Sequence, residues 1–321
     1  MSSTQRAAVI YYPGRVDRKK MVAAVEAITL PGGWEPTLWM ATTDSETGGP
    51  QTLRALAQNT THILVSGGDG TIRGVAEALV ISGRTDVTMG IVPSGTGNVL
   101  ARNLGLELGN LQRAITAGLT GKSYLVDVGR ADLVFADGSL DQRFFTGIAG
   151  VGLDARIMQN TNPALKRKIG WFAYIEGGIK ALPAKFDRLM VSVDGREPRR
   201  LKLHSLLVGN AGWLPGNISL MPDARLDDGV LDVAAIGPRR IWNWIDFWSR
   251  VTWQNKVMRP LSLGRRWMDS TANLKTIENL SGAHIHVVSE KPVDIQLDGD
   301  PLGKIVKVDF NAVPRALSVR V

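Results

Sequence analysis

The sequence predicts an N-terminal α/β domain, a parallel sheet with helices on both faces, over residues 1–125, and a C-terminal β-sandwich-like domain over residues 126–308. Three observations predict it. Strand and helix signals alternate through the first part, closely spaced short strands bounded by Asp-Gly turns fill the second, and two glycine loops each follow a strand and open a helix.

In chain order, Ala7–Tyr12 is the first strand, and Lys19–Ile28 is a helix because Met21, Val22, Val25 and Ile28 recur at helical spacing. Thr37–Ala41 is a second strand and Gln51–Gln58 a second helix. His62–Val65 is a third strand, followed by Gly67-Gly68-Asp69-Gly70-Thr71 and a helix over Ile72–Ile81. Met89–Val92, the fourth strand, ends in "PSGTGN" before a helix that starts at Val99. The texture changes after Tyr124. Strands are expected at Leu125–Val134, Arg143–Gly147, Leu189–Val193, Leu201–Gly209, Val230–Ile236, His284–Val288, Val293–Leu297 and Ile305–Phe310. Asp137-Gly138, Asp194-Gly195, Asp228-Gly229 and Asp298-Gly299 supply turns between them.

Composition narrows the functional classes. Apolar content of 44% with 21% charged residues excludes a disordered chain. The net charge of +8 suits a partner that carries phosphate. The absence of cysteine excludes disulfides, thiolate metal sites and a cysteine nucleophile, and it fits a cytoplasmic protein. The first residues lack signal-peptide anatomy, and no apolar run reaches the ~18 residues of a spanning helix.

A strand, a glycine run and a helix in succession make an anion site. Glycines let backbone N–H groups approach phosphate oxygens, and the helix N-terminus adds its positive end. Asp69 does not favour a bare phosphate, so it points to a bridging Mg²⁺ or to a network of donors. The run is neither a Walker A loop nor a Rossmann fingerprint. The second loop, Gly95-Thr96-Gly97-Asn98, repeats the logic, and two such loops at the carboxyl ends of parallel strands face one crevice. That pairing makes a nucleotide site a better reading than two tight turns.

With "GGDGT" (67–71), "PSGTGNVLARNLG" (93–105), "GIAGVGLDA" (147–155), "GWFAYIEGGIKAL" (170–182), "MPDARLDDGVLDV" (221–233) and "QLDGDP" (296–301) in order along nearly the whole chain, the sequence resembles the diacylglycerol kinase catalytic family. That family includes sphingosine and ceramide kinases and bacterial soluble lipid kinases. GGDGT alone is shared with NAD kinases and phosphofructokinases; the full combination is more specific. The resemblance implies an active site between the two domains, a chain end at about 309–321 that returns to the first domain, ATP with Mg²⁺, and a lipid hydroxyl as acceptor.

On that resemblance, Gly67, Gly68, Asp69, Gly70, Thr71, Ile72 and Arg73, with Gly95, Thr96 and Asn98, contact the nucleotide. Thr42 or Thr43 joins them, Thr43 being preferred for its distance from Gly48. Asp69 binds or orients the catalytic Mg²⁺. The family usually continues GGDGT with a hydrophobic residue, asparagine and glutamate, whereas this chain has Ile72, Arg73 and Gly74. Arg73 reads equally as a phosphate ligand or as a solvated helix residue. The proton acceptor should be a carboxylate, Asp298 or Asp300, where Asp300 stands for the usual glutamate; local sequence alone reads as a plain β-turn. A second, structural Mg²⁺ site is implied at the Asp228 carboxylate, or Asp227 in its place, with the carbonyls of Arg225 and Val230, oxygen ligands suited to a hard cation; the alternative is a simple hairpin turn. His284 and His286 share one face of a strand and suggest no metal cluster.

Residues 237–260 carry Trp242, Trp244, Phe247, Trp248 and Trp253 among basic residues. They read as an amphipathic helix packed on the sandwich or as a peripheral membrane contact through 239–259, with the basic stretch 162–171 near it. The leading expectation is therefore a cytoplasmic ATP- and Mg²⁺-dependent lipid kinase, a transferase of phospholipid metabolism, acting at a membrane surface. An NAD kinase-like enzyme and a catalytically weakened nucleotide or lipid sensor are the alternatives. A nucleic-acid partner is not expected, since charge alone explains neither loop. The acceptor lipid and the oligomeric state, a homodimer included, are left open by the sequence.

Overall fold

The computed structural model describes residues 5–152, 186–215, 218–236 and 279–321. The expectations for 162–171, 170–182 and 237–260 lie outside the described residues, as does the end of the 147–155 motif beyond Gly152.

The first half contains β1 (Arg6–Tyr11), α1 (Arg18–Thr29), β2 (Glu35–Ala41), α2 (Gly49–Leu56), β3 (His62–Gly67), α3 (Asp69–Ser82), β4 (Thr88–Pro93), α4 (Val99–Asn103) and α5 (Leu111–Thr120). Then come β5 (Ser123–Phe135), β6 (Leu140–Phe145), β7 (Ile148–Gly152), β8 (Asp187–Val193), β9 (Arg199–Leu203) and β10 (Ser205–Gly209). The short pair β11 (Trp213–Leu214) and β12 (Ile218–Ser219) precedes β13 (Leu231–Ile236), β14 (Asn279–Gly282), β15 (His284–Leu297) and β16 (Asp300–Arg320).

Strands β2-β1-β3-β4 lie side by side in that order and run parallel. Parallel strands covered on both faces should read as continuous apolar runs, and β3 is buried along its whole length. Met21 and Val25 of α1 and Ile115 and Leu119 of α5 pack with Val9 and Leu64 on one face of the sheet. Ala55 of α2 and Ile72, Val75 and Leu79 of α3 pack with Ile10, Ile63 and Ile91 on the other. The chain turns to opposite sides of β1 for β2 and β3, so the crevice for a ligand lies beyond the carboxyl ends of β1 and β3.

The second half is organised on two long strands. β15 pairs with β8 over Ile285–Ser289 and with β7 over Ile295–Leu297, changing neighbours at an irregularity between Val288 and Val293. β16 runs antiparallel to β15, then continues until Val319 and Arg320 pair in parallel with Met89 and Gly90 of β4. Along its other edge it pairs with β5 from Ile305 to Arg320. The sandwich-like core gathers Leu133, Phe145, Val151, Leu189, Val191, Leu206, Val233, Ile295 and Phe310, with the rings of Phe145 and Phe310 edge to face at 6.0 Å.

Four local expectations change. Helix α3 begins at Asp69 and not at Ile72, because Gly68, with an extended backbone, serves as its N-cap and Asp69 takes the first turn. Helix α5 was not foreseen, although Asn110 caps it through the Arg113 N–H and Leu111, Ile115 and Leu119 share a stripe. The strand expected at 143–147 coincides only with the end of β6, and β7 follows it unforeseen, while the one expected at 201–209 divides into β9 and β10. The pieces expected at 284–288 and 293–297 are one strand.

Candidate active site

The two glycine loops meet glycine against glycine: a Cβ on Gly95 would lie 2.7 Å from the Gly68 Cα. What joins them is Asp69. Its two carboxylate oxygens accept the N–H groups of Asn98 (2.9 Å) and Val99 (2.6 Å). Burial raises its pKa above the usual carboxylate value, and those two N–H groups work against that rise. Of the two expected reasons for this aspartate, the donor network is the one on view, with one N–H on each carboxylate oxygen. Gly97 makes the approach possible, because a Cβ there would collide with the Asp69 carboxylate.

The second loop is held by its own residues. Asn98 adopts the left-handed conformation (φ 50°), its Oδ1 accepts the Gly95 N–H at 3.0 Å and its Nδ2 donates to the Gly95 carbonyl at 2.8 Å. Arg102 donates from Nε to the Gly97 carbonyl at 2.9 Å. The N–H groups of Gly68, Thr96 and Gly97 find no acceptor among the described residues, and Thr96 is exposed. Such unpaired amides beside the first turn of α3 form a cradle that fits phosphate oxygens.

Other predicted contacts fall differently. Ile72 is buried in the core and donates its N–H to the Gly68 carbonyl, so it serves the helix and not the crevice. Thr71 packs under Gly67, where a Cβ would be 2.5 Å from the Thr71 Cβ. Thr42 is buried and donates to the Tyr11 carbonyl, whereas Thr43 is exposed, its Oγ accepting the Glu46 N–H at 3.0 Å. Arg15 went unnoticed in the sequence. It follows β1, brings Nη1 to 3.5 Å from the Ser94 carbonyl and passes beside Gly68, a cation at the mouth of both loops. A basic residue in the first strand-to-helix turn was the signal for it.

The two acids of the "LDGDP" segment occupy different environments. The Asp298 backbone turns through the left-handed region (φ 49°) and reaches the surface, but its carboxylate is enclosed. It accepts the N–H groups of Thr146 (2.9 Å), Gly147 (2.8 Å) and Ile148 (3.0 Å) and the Thr146 hydroxyl (3.3 Å). Burial pushes its pKa up to about 6, with the Thr146 N–H, the Arg73 charge and the Gly147 N–H pulling it down. Asp298 thus fastens the β15–β16 turn to the start of β7. Asp300 keeps 42% of its side chain exposed and reaches over α3, its Oδ2 2.9 Å from where a Cβ of Gly70 would be.

Arg73 is not a solvated helix residue. Its side chain is 12% exposed, and Nη2 donates to Asp300 Oδ2 at 2.8 Å. Nη1 lies 3.9 Å from Glu77, which in turn accepts the Phe144 N–H. Burial opposes its charge, but the hydrogen bond and charge of Asp300 prevail and raise its pKa. The glycine that replaces the family's usual glutamate also has a local cause: a Cβ on Gly74 would lie 2.6 Å from the Thr47 carbonyl.

The acidic turn at 221–233 sits apart from this crevice. Asp127, buried in β5, accepts the N–H groups of Gly229 (2.6 Å) and Arg315 (2.7 Å), and so ties the turn to β16. Asp228 is exposed, its Oδ1 taking the Val230 N–H at 3.2 Å, and Arg225 lies 3.4 Å from Asp227. Asp232 has its pKa raised to about 6 by burial and by the charges of Asp228 and Asp223. This oxygen-rich, like-charged set fits a hard cation in chemistry, although no three acidic or histidine side chains converge as a cage among the described residues. His284 and His286, at the start of β15 and far along the strand from the crevice, both face Asp309 of the paired strand β16. No helix among the described residues is long and apolar enough to cross a membrane.

Comparison with known proteins adds independent findings. The family described as "Diacylglycerol kinase catalytic domain" matches residues 12–131, and the "YegS C-terminal NAD kinase beta sandwich-like domain" matches residues 147–321. A Pseudomonas putida protein named "Probable lipid kinase YegS-like" is 30% identical over 85% of this chain and 81% of its own length. A Staphylococcus carnosus "Diacylglycerol kinase" is 28% identical over 70% of each chain. Among solved structures, a diacylglycerol kinase from Bacillus anthracis is 20% identical with a TM-score of 0.73, covering 100% of this chain and 98% of its own. An NAD kinase from Archaeoglobus fulgidus in complex with ATP shares the fold at 14% identity and a TM-score of 0.51, covering 99% and 94%.

Proposed function

This chain belongs to the diacylglycerol kinase catalytic family, with a YegS-type C-terminal domain, and on that premise we propose that it transfers the γ-phosphate of ATP to the hydroxyl of a diacylglycerol-like lipid. The observation that carries the reading is the meeting of the two Asp69-joined glycine loops with an accessible carboxylate, Asp300, brought from the far end of the chain.

In this reading the free N–H groups of Gly68, Thr96 and Gly97 and the first turn of α3 hold the ATP phosphates, with Arg15 supplying charge at the rim. Asp300 receives the proton of the acceptor hydroxyl as the hydroxyl oxygen forms the bond to the γ-phosphorus. The bond from that phosphorus to the β–γ bridging oxygen breaks, and ADP leaves with the electron pair. Asp298 does not touch the reacting atoms; it sets the turn that carries Asp300. Mg²⁺ bound with ATP would neutralise developing phosphate charge, with Asp69 orienting the loops around it, and Asp228 with the Arg225 and Val230 carbonyls would hold a structural ion. The lipid is expected to be reached from a membrane surface.

The test is phosphate transfer from γ-labelled MgATP to diacylglycerol, phosphatidylglycerol and a sphingoid base in mixed micelles, with NAD as an aqueous acceptor in parallel. Label in the organic phase identifies a lipid kinase and its acceptor. Label only in NAD would replace this reading with the NAD kinase alternative, which the shared fold keeps in contention.

A further inference from the structure

We infer that Arg73 is a shared partner of two anions: it pairs with Asp300 as the structure records, and it pairs with the γ-phosphate when ATP fills the crevice, so that nucleotide binding releases the Asp300 carboxylate to the acceptor. The inference rests on the phosphotransfer reading above and assigns this chain's departure from the usual family residue a role in it.

The ion pair is lopsided in a way that suits exchange. Arg73 is nearly enclosed and anchored one turn into α3, while Asp300 is 42% exposed and stands at the start of a strand beyond a turn. The cation is fixed and the acid is the partner able to move. The guanidinium is also under-used. Only Nη2 makes a hydrogen bond to a carboxylate, Nη1 is 3.9 Å from Glu77, and Nε is buried with no partner among the described residues. A guanidinium has five N–H donors in a planar fork and takes phosphate well. Arg73 therefore has donors to spare for a second anion.

The position of Asp300 completes the argument. Its Oδ2 sits over Gly70, in the first turn of α3, where backbone donors and the helix dipole favour negative charge. A phosphate held by the Gly68, Thr96 and Gly97 amides approaches the same turn. Two anions cannot share it without strong repulsion, and the carboxylates of Asp69 and Asp298 already crowd the site. The incoming phosphate must take Arg73 and displace Asp300. No side chain at position 74 can substitute, since the Thr47 carbonyl covers that glycine.

The experiment measures equilibrium binding of MgATP and MgADP by calorimetry to the full chain and to Arg73→Gln, Asp300→Asn and the double variant, with urea unfolding of each. Removing the competing carboxylate should make Asp300→Asn bind MgATP about tenfold tighter while MgADP affinity stays unchanged. Arg73→Gln should lose about tenfold or more of the preference for MgATP over MgADP. In the double variant the gain from Asp300→Asn should vanish, because its beneficiary is gone. Should Arg73→Gln not fold, Arg73→Lys and Asp300→Asn carry the test. An unchanged ATP-to-ADP preference in the Arg73 variants, or unchanged or weakened MgATP binding in Asp300→Asn, overturns the inference. A chain that binds neither nucleotide overturns the phosphotransfer reading and this inference with it. Exchange behaviour in a chain that labels no lipid overturns only the acceptor assignment.

Discussion

Asp298 takes four hydrogen bonds from residues 146–148, whereas Asp300, past the Gly299 turn, keeps its carboxylate at the mouth of the crevice. The sequence offered both as the base and could not rank them, because two aspartates in one turn look alike until burial separates them. The same limit applied to Arg73, whose partner is 227 residues away. The buried acid has a consequence for stability. Its folded pKa of about 6 exceeds the usual 3.8, so between those values the folded chain binds more protons than the unfolded one. The stabilisation from this group is full below about pH 4 and is lost as pH rises through about 6. Asp298→Asn should flatten that slope in urea midpoints measured from pH 4 to 7. It should also cost ~1–3 kcal/mol, because an amide cannot accept from all the N–H groups of residues 146–148. A variant that keeps the wild-type slope would assign the titration elsewhere.

The glycine loops are the elements whose purpose was most legible. Repeated glycines before a helix are a backbone signal, and they read as an anion site without any tertiary information. What the sequence could not supply was how the loops find each other, since the Asp69 carboxylate bonds to amides 29 and 30 residues away. Helix α5 escaped notice because its polar residues and glycine diluted a sound apolar stripe. Gly97→Ala would press a Cβ into the Asp69 carboxylate and open the junction. Its expected effect is at least tenfold weaker MgATP binding with a stability loss of about 1–3 kcal/mol, read by calorimetry and urea unfolding. Binding at wild-type strength would show that the junction tolerates movement.

At the scale of the whole molecule, β5 and β16 run together through both halves, and β16 ends beside β4. A strand of 21 residues was not legible as one piece, because apolar alternation weakens around Gly303 and Pro314 and the eye sees separate short strands. Continuity of this kind should couple the halves. Phe310→Ala, which removes a buried ring from the sandwich core, should cost about 3–5 kcal/mol. Amide signals of the first half, Val9 and Leu64 among them, and of the second, Val151 and Ile295 among them, should still lose native intensity at one shared urea midpoint when followed by NMR. Separate midpoints would mean that the halves unfold independently. The coupling also matters for chemistry, since β16 carries Asp300 to loops that belong to the other end of the chain. The most direct test of that assembly is single-turnover phosphate transfer from MgATP to the lipid that the acceptor panel identifies, comparing wild type with Asp300→Asn. A fall of about 10²–10⁴ in rate, with MgATP bound at least as tightly, is the predicted result. Transfer by Asp300→Asn at the wild-type rate would contradict the account.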